Sequence, residues 1–502
     1  MDKITIVCRA SKLSLIQAEL VRSKIIKLQP ETDVVIRGMT SKGDRLVDLP
    51  LSSLNGMDFF TADIFQELRE GKADIAVHSL KDMSSEHFFS HNAFAVIERN
   101  DHRDVAIFNE NIIQKLINKQ NILIGTSSPR REEMVGKFLK KALPQLHDKI
   151  EIETKPIRGN VDTRLQKLDN GDFDGIILAT AGLNRLLTYG DKKGELRQLL
   201  DTKKIIILPL IECTPAPCQG MIVAEGNPDN TAICALLEKI SDDLLMQTAV
   251  AEKSKARTFG SGCSQKFGVT TISTRYGEHI YAAGIDGAGN TISEWTNLPQ
   301  SMAGLTHIFA TNEVMKDFFD YQWSEKKHEI STNHVFVANP KIAQNRDILQ
   351  SIKHKNFWAA GSKTWYDLAK AGIWVTGSTD GMGFEYLESI VKMPLIQSDL
   401  KDITILSHHT GAQRWKLKGI KAVGYYDLIA KNNEGIIKAI QEVDMIFWSS
   451  YSQFKAYKRF AKTSVIHSCA GGETATLMIE SGIKPIIFPT IKSFEQWRTN
   501  IQ

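Results

Sequence analysis

From the first residues to about 300, short β-branched runs alternate with amphipathic stretches of helix length, and this alternation constrains the fold more than any other feature of the chain. Residues 3–8 form such a run, and Ser11 then stands as an N-cap before Leu13, Ile16 and Leu20, spaced for one helix face. The unit returns at 33–37, at 73–77 before Lys81-Asp82, at 121–124 before a helix to Lys141, at 151–155 before 161–168, and at 175–178 before 182–187. Such alternation predicts α/β layers with mainly parallel sheets, whose ligands sit at the carboxyl ends of strands. The polar residues just after each strand are therefore the candidates for function. Beyond Pro215 the pattern changes to a long amphipathic stretch, 230–259, then Gly260-Ser261-Gly262-Cys263 and strand signals around a turn at 286–290, which predicts a small α+β domain ending near 303.

From about 304 onward the sequence repeats itself. Gly361 and Thr364 recur as Gly471 and Thr474, Gly372-Ile373 as Gly482-Ile483, Phe384-Glu385 as Phe494-Glu495, and the apolar run 335–337 as 445–447, all at an offset of 110. Two similar α/β lobes are predicted, each reading strand, Gly-x-x-Thr helix start, then Gly-Ile into another strand.

Charge narrows the ligand. Among 502 residues, 62 Lys and Arg face 58 Asp and Glu for a net +4, so no global field suits a nucleic acid, and an anion must be met by locally clustered cations. No apolar run approaches the roughly 18 residues of a membrane span, and Met1-Asp2-Lys3 enters a strand without the apolar core of a signal peptide. A cytoplasmic monomer acting on small molecules, with no membrane or nucleic-acid partner, is expected. The six cysteines, Cys8, Cys213, Cys218, Cys234, Cys263 and Cys469, contain no Cys-x-x-Cys pair, which argues against a zinc ribbon or a disulfide framework.

Arginines gather where ligands are expected. Residues 125–133 follow a strand and open a helix, with Ser127, Ser128 as N-cap, Pro129 at the first helical position, and Arg130 and Arg131 beside it. That is either an anion site at a helix N-terminus or a capped surface helix whose arginines meet solvent. Arg9 beside Ser11, Arg158 and Arg164 around Gly159-Asn160, and Arg185 after Ala181-Gly182-Leu183 occupy similar places. If those ends converge, six guanidiniums line one cleft for a ligand with several carboxylates. Lys81-Asp82 ends another strand; read plainly it is an exposed ion pair, whereas a carboxylate among arginines stays ionised and suits steadying a developing cation. His87 and His91 are four apart, but no third metal ligand is near in sequence, so structural roles and no metal are expected.

Together these segments resemble hydroxymethylbilane synthase, also called porphobilinogen deaminase, over about residues 1–303. The resemblance rests on Arg9-x-Ser11-x-Leu13 with Gln17, on residues 78–82, 125–131, 158–165 and 181–186, on Pro215-Ala216-Pro217-x-Gln219-Gly220, and on Gly262-Cys263. It implies two periplasmic-binding-protein-like α/β domains, 1–93 with 190–224 and 94–189, and a small α+β cofactor domain, 225–303. Cys263 would carry a covalent dipyrromethane primer, onto which four porphobilinogens are condensed with loss of ammonia before water releases hydroxymethylbilane. Asp82 would be the catalytic carboxylate, holding pyrrole N–H groups and steadying the azafulvene. Lys81, Ser127, Arg130 and Arg131 would bind the cofactor, and Arg9, Ser11, Arg158, Arg164 and Arg185 the substrate acids. Cys218 stands where glycine is common, as a packing residue. A non-catalytic carboxylate-binding protein of the two-domain periplasmic type is the competing reading; it explains the α/β halves but not Cys263 with Asp82.

Residues 304–502 resemble uroporphyrinogen-III synthase through Ala360-Gly361-Ser362-Lys363-Thr364, residues 423–426 and residues 470–475. The resemblance implies a two-lobed α/β domain in which Thr364, Tyr426 and Thr474 face the substrate, with Tyr426 assisting loss of the hydroxyl. A bifunctional transferase and lyase of tetrapyrrole biosynthesis is expected, the alternative being a second half that only binds tetrapyrrole.

Overall fold

The computed structural model describes residues 2–40, 62–147, 149–260, 265–300, 305–326 and 328–501. The chain divides into two compact units, Met1–Lys140 with His147–Thr271 and Ile280–Ser293 in one, and Lys141–Leu146, Ile272–His279 and Glu294–Gln502 in the other.

The first unit contains two five-stranded sheets of the same design. One runs in spatial order Asp33–Met39, Lys3–Arg9, Ile75–Ser79, Met221–Gly226, Phe94–Arg99; the other runs Ile152–Lys155, Ile122–Gly125, Gly175–Ala179, Asp104–Phe108, Lys204–Ile207. In each the fourth strand is antiparallel to both neighbours. The predicted mainly parallel α/β layering is present, and the chain crosses between the sheets twice, at 100–103 and at 208–220. Both crossings fall later than the boundaries expected at 93/94 and 189/190: the strand Phe94–Arg99 stays with the first sheet and Lys204–Ile207 belongs to the second.

The core of the first sheet is closed by Ala18, Val21 and Ile25 of the helix Lys12–Leu28 and by Ile233, Leu236, Leu237 and Ile240 of the helix Thr231–Ile240. Each such fully buried Ile or Leu contributes roughly 1.5–3 kcal/mol. The helix Thr231–Ile240 therefore packs on the first sheet, although the sequence assigns it to the third domain. The three-stranded antiparallel sheet Lys266–Thr274, Gly277–Ile285, Thr291–Trp295 packs through Phe267, Val269, Ala282 and Ile292 on Ala256 of the helix Asp243–Arg257. Glu252 of that helix, fully buried, receives both Arg99 Nη groups at 2.8 and 3.2 Å and the backbone N–H of Cys218 and Thr271 at 2.6 Å each. Cys218 has φ +60°, a left-handed conformation that explains why glycine suits this position, and its thiol is buried in the core as expected.

The second unit holds two all-parallel sheets. One is ordered Val375–Ser378, Asn356–Ala359, His334–Val337, Ile403–Ser407, Ala422–Gly424, and the other Ile486–Phe488, Ile466–Ala470, Met445–Trp448, Ile308–Ala310. An antiparallel ladder of Phe319–Trp323 with Tyr426–Ala430 links the two lobes. The 110-residue repeat is structural: strand, helix (Ser362–Lys370 or Glu473–Glu480) and strand recur in the same order, and Gly372 and Gly482 each follow their helix at φ +80°.

Candidate active site

The carboxyl ends of four strands bring the predicted residues toward one place. The strand Lys3–Arg9 ends in Arg9, and Ser11 caps the next helix, its Oγ accepting from Ser14 N–H at 3.2 Å and lying 2.8 Å from Ser14 Oγ. The strand Ile75–Ser79 runs into the single 3-10 turn Leu80–Asp82, which leaves Asp82 exposed. Ser79 Oγ accepts from Gln17 Nε2 at 2.9 Å and so ties this end to the first helix. Arg9, Ser14, Gln17, His78, Ser79 and Asp82 line one small cavity.

From the second sheet come the remaining cations. Asn160 caps the helix Val161–Asp169 with its side chain, and Gly159 turns at φ +108°, which presents Arg158 and Arg164 together. Arg164 Nε donates to Gly159 O at 2.8 Å. Burial, and then the like charges of Arg131, Arg158 and Arg9, push the Arg164 guanidinium down to about 10, while Asp82 acts in the opposite direction. Five groups from four strand ends thus share one field: Arg9, Arg131, Arg158, Arg164 and Asp82. Half-buried Lys81 belongs to it too: burial lowers its pKa, Asp82 opposes that, and Arg131 and Arg130 add to it.

Three expected ligand contacts turn out otherwise. Arg130 is buried and fully engaged, Nη1 donating to Thr214 O at 2.7 Å and Nη2 to Asp104 Oδ2 at 2.8 Å. Arg185 is buried and donates from Nε and Nη2 to Glu98 Oε1 at 2.9 and 2.8 Å and to Gly220 O at 2.6 Å. Of the six guanidiniums, three hold carboxylates of the protein, Arg130 and Arg131 sharing Asp104 and Arg185 taking Glu98, and of these Arg131 keeps a buried Nε donor without a partner among the described residues. Ser127 Oγ donates to Ile157 O at 2.7 Å and accepts from Ile157 N–H at 3.0 Å, lacing two strand ends together and leaving its neighbour Ser128, half-buried, to offer a hydroxyl with no hydrogen bond among the described residues.

Asp104 was missed in the sequence. It accepts from Arg130, from Arg131 Nη2 at 2.7 Å and from Gln219 Nε2 at 2.8 Å. Burial alone would raise its carboxyl; the two guanidiniums override this and hold it well below the usual carboxylate range. The only signal was an acid heading the apolar run Asp104–Phe108, all of it buried. Arg131 keeps one buried donor, Nε, without a partner among the described residues. An orphaned guanidinium N–H beside three further arginines fits a ligand rich in carboxylates, and a dipyrromethane is such a group. Cys263, expected to carry it, lies outside the described residues, as does the 41–61 segment.

A profile described as "Porphobilinogen deaminase, dipyromethane cofactor binding domain" matches residues 4–235. Porphobilinogen deaminase of Chromobacterium violaceum is 38% identical over 269 residues, covering 53% of this chain and 79% of that protein. The chain belongs to the porphobilinogen deaminase family. Relatives of the same description from Thiobacillus denitrificans, 35% identical over 53% of this chain and 80% of their protein, and from Paraburkholderia phytofirmans, 37% over 52% and 69%, agree. Among solved structures, a polar amino acid ABC uptake transporter substrate binding protein from Streptococcus thermophilus aligns with 51% of this chain and 85% of its own at 15% identity and a TM-score of 0.28. The N-terminal half is thus a dipyrromethane-binding deaminase domain. Among the described residues, no helix is long and apolar enough to cross a membrane.

In the second unit the two Gly-x-x-Thr helix starts abut one loop, 379–383. A Cβ on Gly361 would lie 3.5 Å from Gly381 N, and one on Gly472 would lie 3.1 Å from Gly383 Cα. Thr364 is buried and Thr474 half-buried at those starts. Tyr426 departs from expectation: instead of facing a substrate it is fully buried, packed against Tyr321 and Trp323 with ring centroids at 5.7 and 5.1 Å, and burial raises its phenol. The strand ladder that joins the lobes encloses it, and its Oη has no hydrogen-bond partner among the described residues.

Proposed function

We propose that the N-terminal half is an active hydroxymethylbilane synthase that condenses four porphobilinogens with release of ammonia and then frees hydroxymethylbilane by hydrolysis. The observation that carries this reading is the cavity that Arg9 and Asp82 line together at two strand ends, in a chain of the deaminase family. When bound through Cys263, the dipyrromethane supplies the free pyrrole end on which the chain grows. Arg131 and Lys81, with Ser128 in the place expected of Ser127, would hold its acid side chains; Arg9, Ser11, Arg158 and Arg164 would hold those of the incoming pyrrole. Asp82, exposed at the lip of the cavity, accepts pyrrole N–H hydrogen bonds and faces the positive charge that develops as ammonia leaves. Arg130 and Arg185 act through others, by fixing Asp104 and Glu98. Intact mass tests this directly: the full chain is expected to exceed its sequence mass by two linked pyrrole units, and Cys263→Ala to lose that excess together with activity. An unmodified but active protein would reject the assignment.

The second half, in this reading, closes the bilane to uroporphyrinogen III. Support comes from the two similar lobes, the ladder between them, and the convergence of both Gly-x-x-Thr helix starts on one loop, since helix N-termini favour carboxylates. The enclosed Tyr426 favours the second reading, a domain that binds tetrapyrrole without turnover. The uroporphyrin isomer separates the two: type III from full-length protein and type I from residues 1–303 is expected, whereas type I from both would leave only binding.

A further inference from the structure

Away from the arginines, three imidazoles converge on one buried carboxylate. Glu225 lies on the strand Met221–Gly226, which pairs on either side with the strands Ile75–Ser79 and Phe94–Arg99, and its side chain is only 4% exposed. His87 Nε2 lies 2.7 Å and His91 Nε2 3.1 Å from Glu225 Oε1, and His78 Nε2 lies 3.5 Å from Glu225 Oε2. No third ligand for His87 and His91 is visible along the chain because Glu225 is more than a hundred residues away; antiparallel pairing of its strand brings it in.

The two rings are fixed by aromatic packing and a local turn. Phe65 stacks on His87 with centroids 4.0 Å apart, Phe94 stacks on His91 at 4.3 Å, and Ser84 caps the His87 turn by accepting its N–H at 3.1 Å. Two buried atoms, His78 Nε2 and Glu225 Oε2, face each other with no hydrogen-bond partner among the described residues. Leaving two buried polar atoms unpaired is costly, and a single cation that takes a lone pair from the carboxylate oxygen and from an unprotonated Nε2 satisfies both. The nearest ligand atoms of His87, His91 and Glu225 lie within 4.8 Å of one another. Tetrahedral zinc at about 2.0–2.2 Å from each ligand spaces them about 3.3 Å apart, so the contacts of His87 and His91 with Glu225 need open by only a few tenths of an ångström, whereas His78, outside that close group, has to swing inward to complete the set.

We propose that His78, His87, His91 and Glu225 form a zinc-binding site. Three imidazoles and one carboxylate suit Zn2+ rather than the all-oxygen shells of Ca2+ or Mg2+. Binding displaces protons, because every Nε2 must be free of hydrogen. His91 Nδ1 now accepts from Ala93 N–H at 3.2 Å, so ligation through Nε2 moves the ring proton to Nδ1 and breaks that contact. His91 is therefore the weakest ligand of the set. His78 stands four residues before Asp82, so the metal would also brace the strand end that carries Asp82.

The test is a titration of full-length, chelator-treated protein with ZnCl2, followed by calorimetry with metal analysis. One equivalent bound, proton release and a raised Tm are expected. His87→Ala should weaken binding by at least about tenfold, the scale even of changes outside the ligand shell, and His91→Ala should weaken it less. Both side chains are half-buried, so these variants retain the fold. Co2+ in place of Zn2+ should give the intense visible bands of a four-coordinate ion in the unsubstituted chain and lose them in His87→Ala. Absence of saturable binding, or binding unchanged in both variants, overturns the proposal.

Discussion

Asp82 is exposed at a strand end and Asp104 is buried between two guanidiniums, and that difference in burial separates the roles of two carboxylates that both neighbour arginines. Asp82→Asn should lower porphobilinogen turnover at least about 100-fold, the scale of removing one group that meets developing charge. Its stability should stay within about 0.5 kcal/mol of the parent by denaturant titration. Asp104→Asn should instead destabilise by about 3–5 kcal/mol, because it strands two buried guanidiniums. Asp104 is held below its unfolded value, so its contribution is present above the ordinary carboxylate range and is lost as pH falls through the depressed folded value. Acid unfolding of Asp104→Asn should therefore be less steep than that of the parent. Arg164 carries the opposite sign: its guanidinium is pushed down to about 10 by burial and like charge, so the folded state holds fewer protons than the unfolded state above that pH. In a Cys263→Ala background, where no primer carboxylates offset the repulsion, Arg164→Gln should raise Tm by about 1–3 °C. The same change in the parent should abolish turnover.

Elements were more legible than contacts. The strands and helices of residues 3–28, 121–142, 151–169 and 175–187 form where the alternation predicts them, since period-2 and period-3.6 apolar patterns depend on local order alone. The 110-residue repeat was legible for the same reason, down to the matched left-handed glycines Gly372 and Gly482. Sheet membership was not: the strand Phe94–Arg99 and the helix Thr231–Ile240 carry apolar faces that any sheet would accept, and only pairing with the strand Met221–Gly226 and packing on the first core decide where they go. The crossing at Gly220 is tightly constrained. Its φ is +88°, and a Cβ would lie 2.4 Å from Asn100 O, on the other crossing. Gly220→Ala should cost about 2–4 kcal/mol, readable as a lowered urea midpoint at unchanged m, since it combines backbone strain with a collision that neither crossing can relieve.

For the molecule as a whole, the two halves make separable predictions. Thr364→Val combined with Thr474→Val should leave porphobilinogen consumption unchanged while shifting the product from type III toward type I uroporphyrin, measured by isomer separation after oxidation. The sequence by itself determined the α/β class, the two-lobed repeat, the family motifs and the positions of the cations at strand ends, because each is written in short-range pattern. Only the tertiary structure decided which cations remain available to a ligand. Arg130, Arg131 and Arg185 read the same as Arg164 along the chain, yet Asp104 holds the first two and Glu98 the third, and only Arg131 of these keeps an unpartnered buried donor among the described residues. It likewise enclosed Tyr426 within the ladder between the lobes and set Glu225 beside His78, His87 and His91. The physical reason is common to all of these: charge pairing, burial and metal-ligand geometry depend on distances of a few ångströms between residues far apart in sequence, and those distances exist only once the sheets have formed.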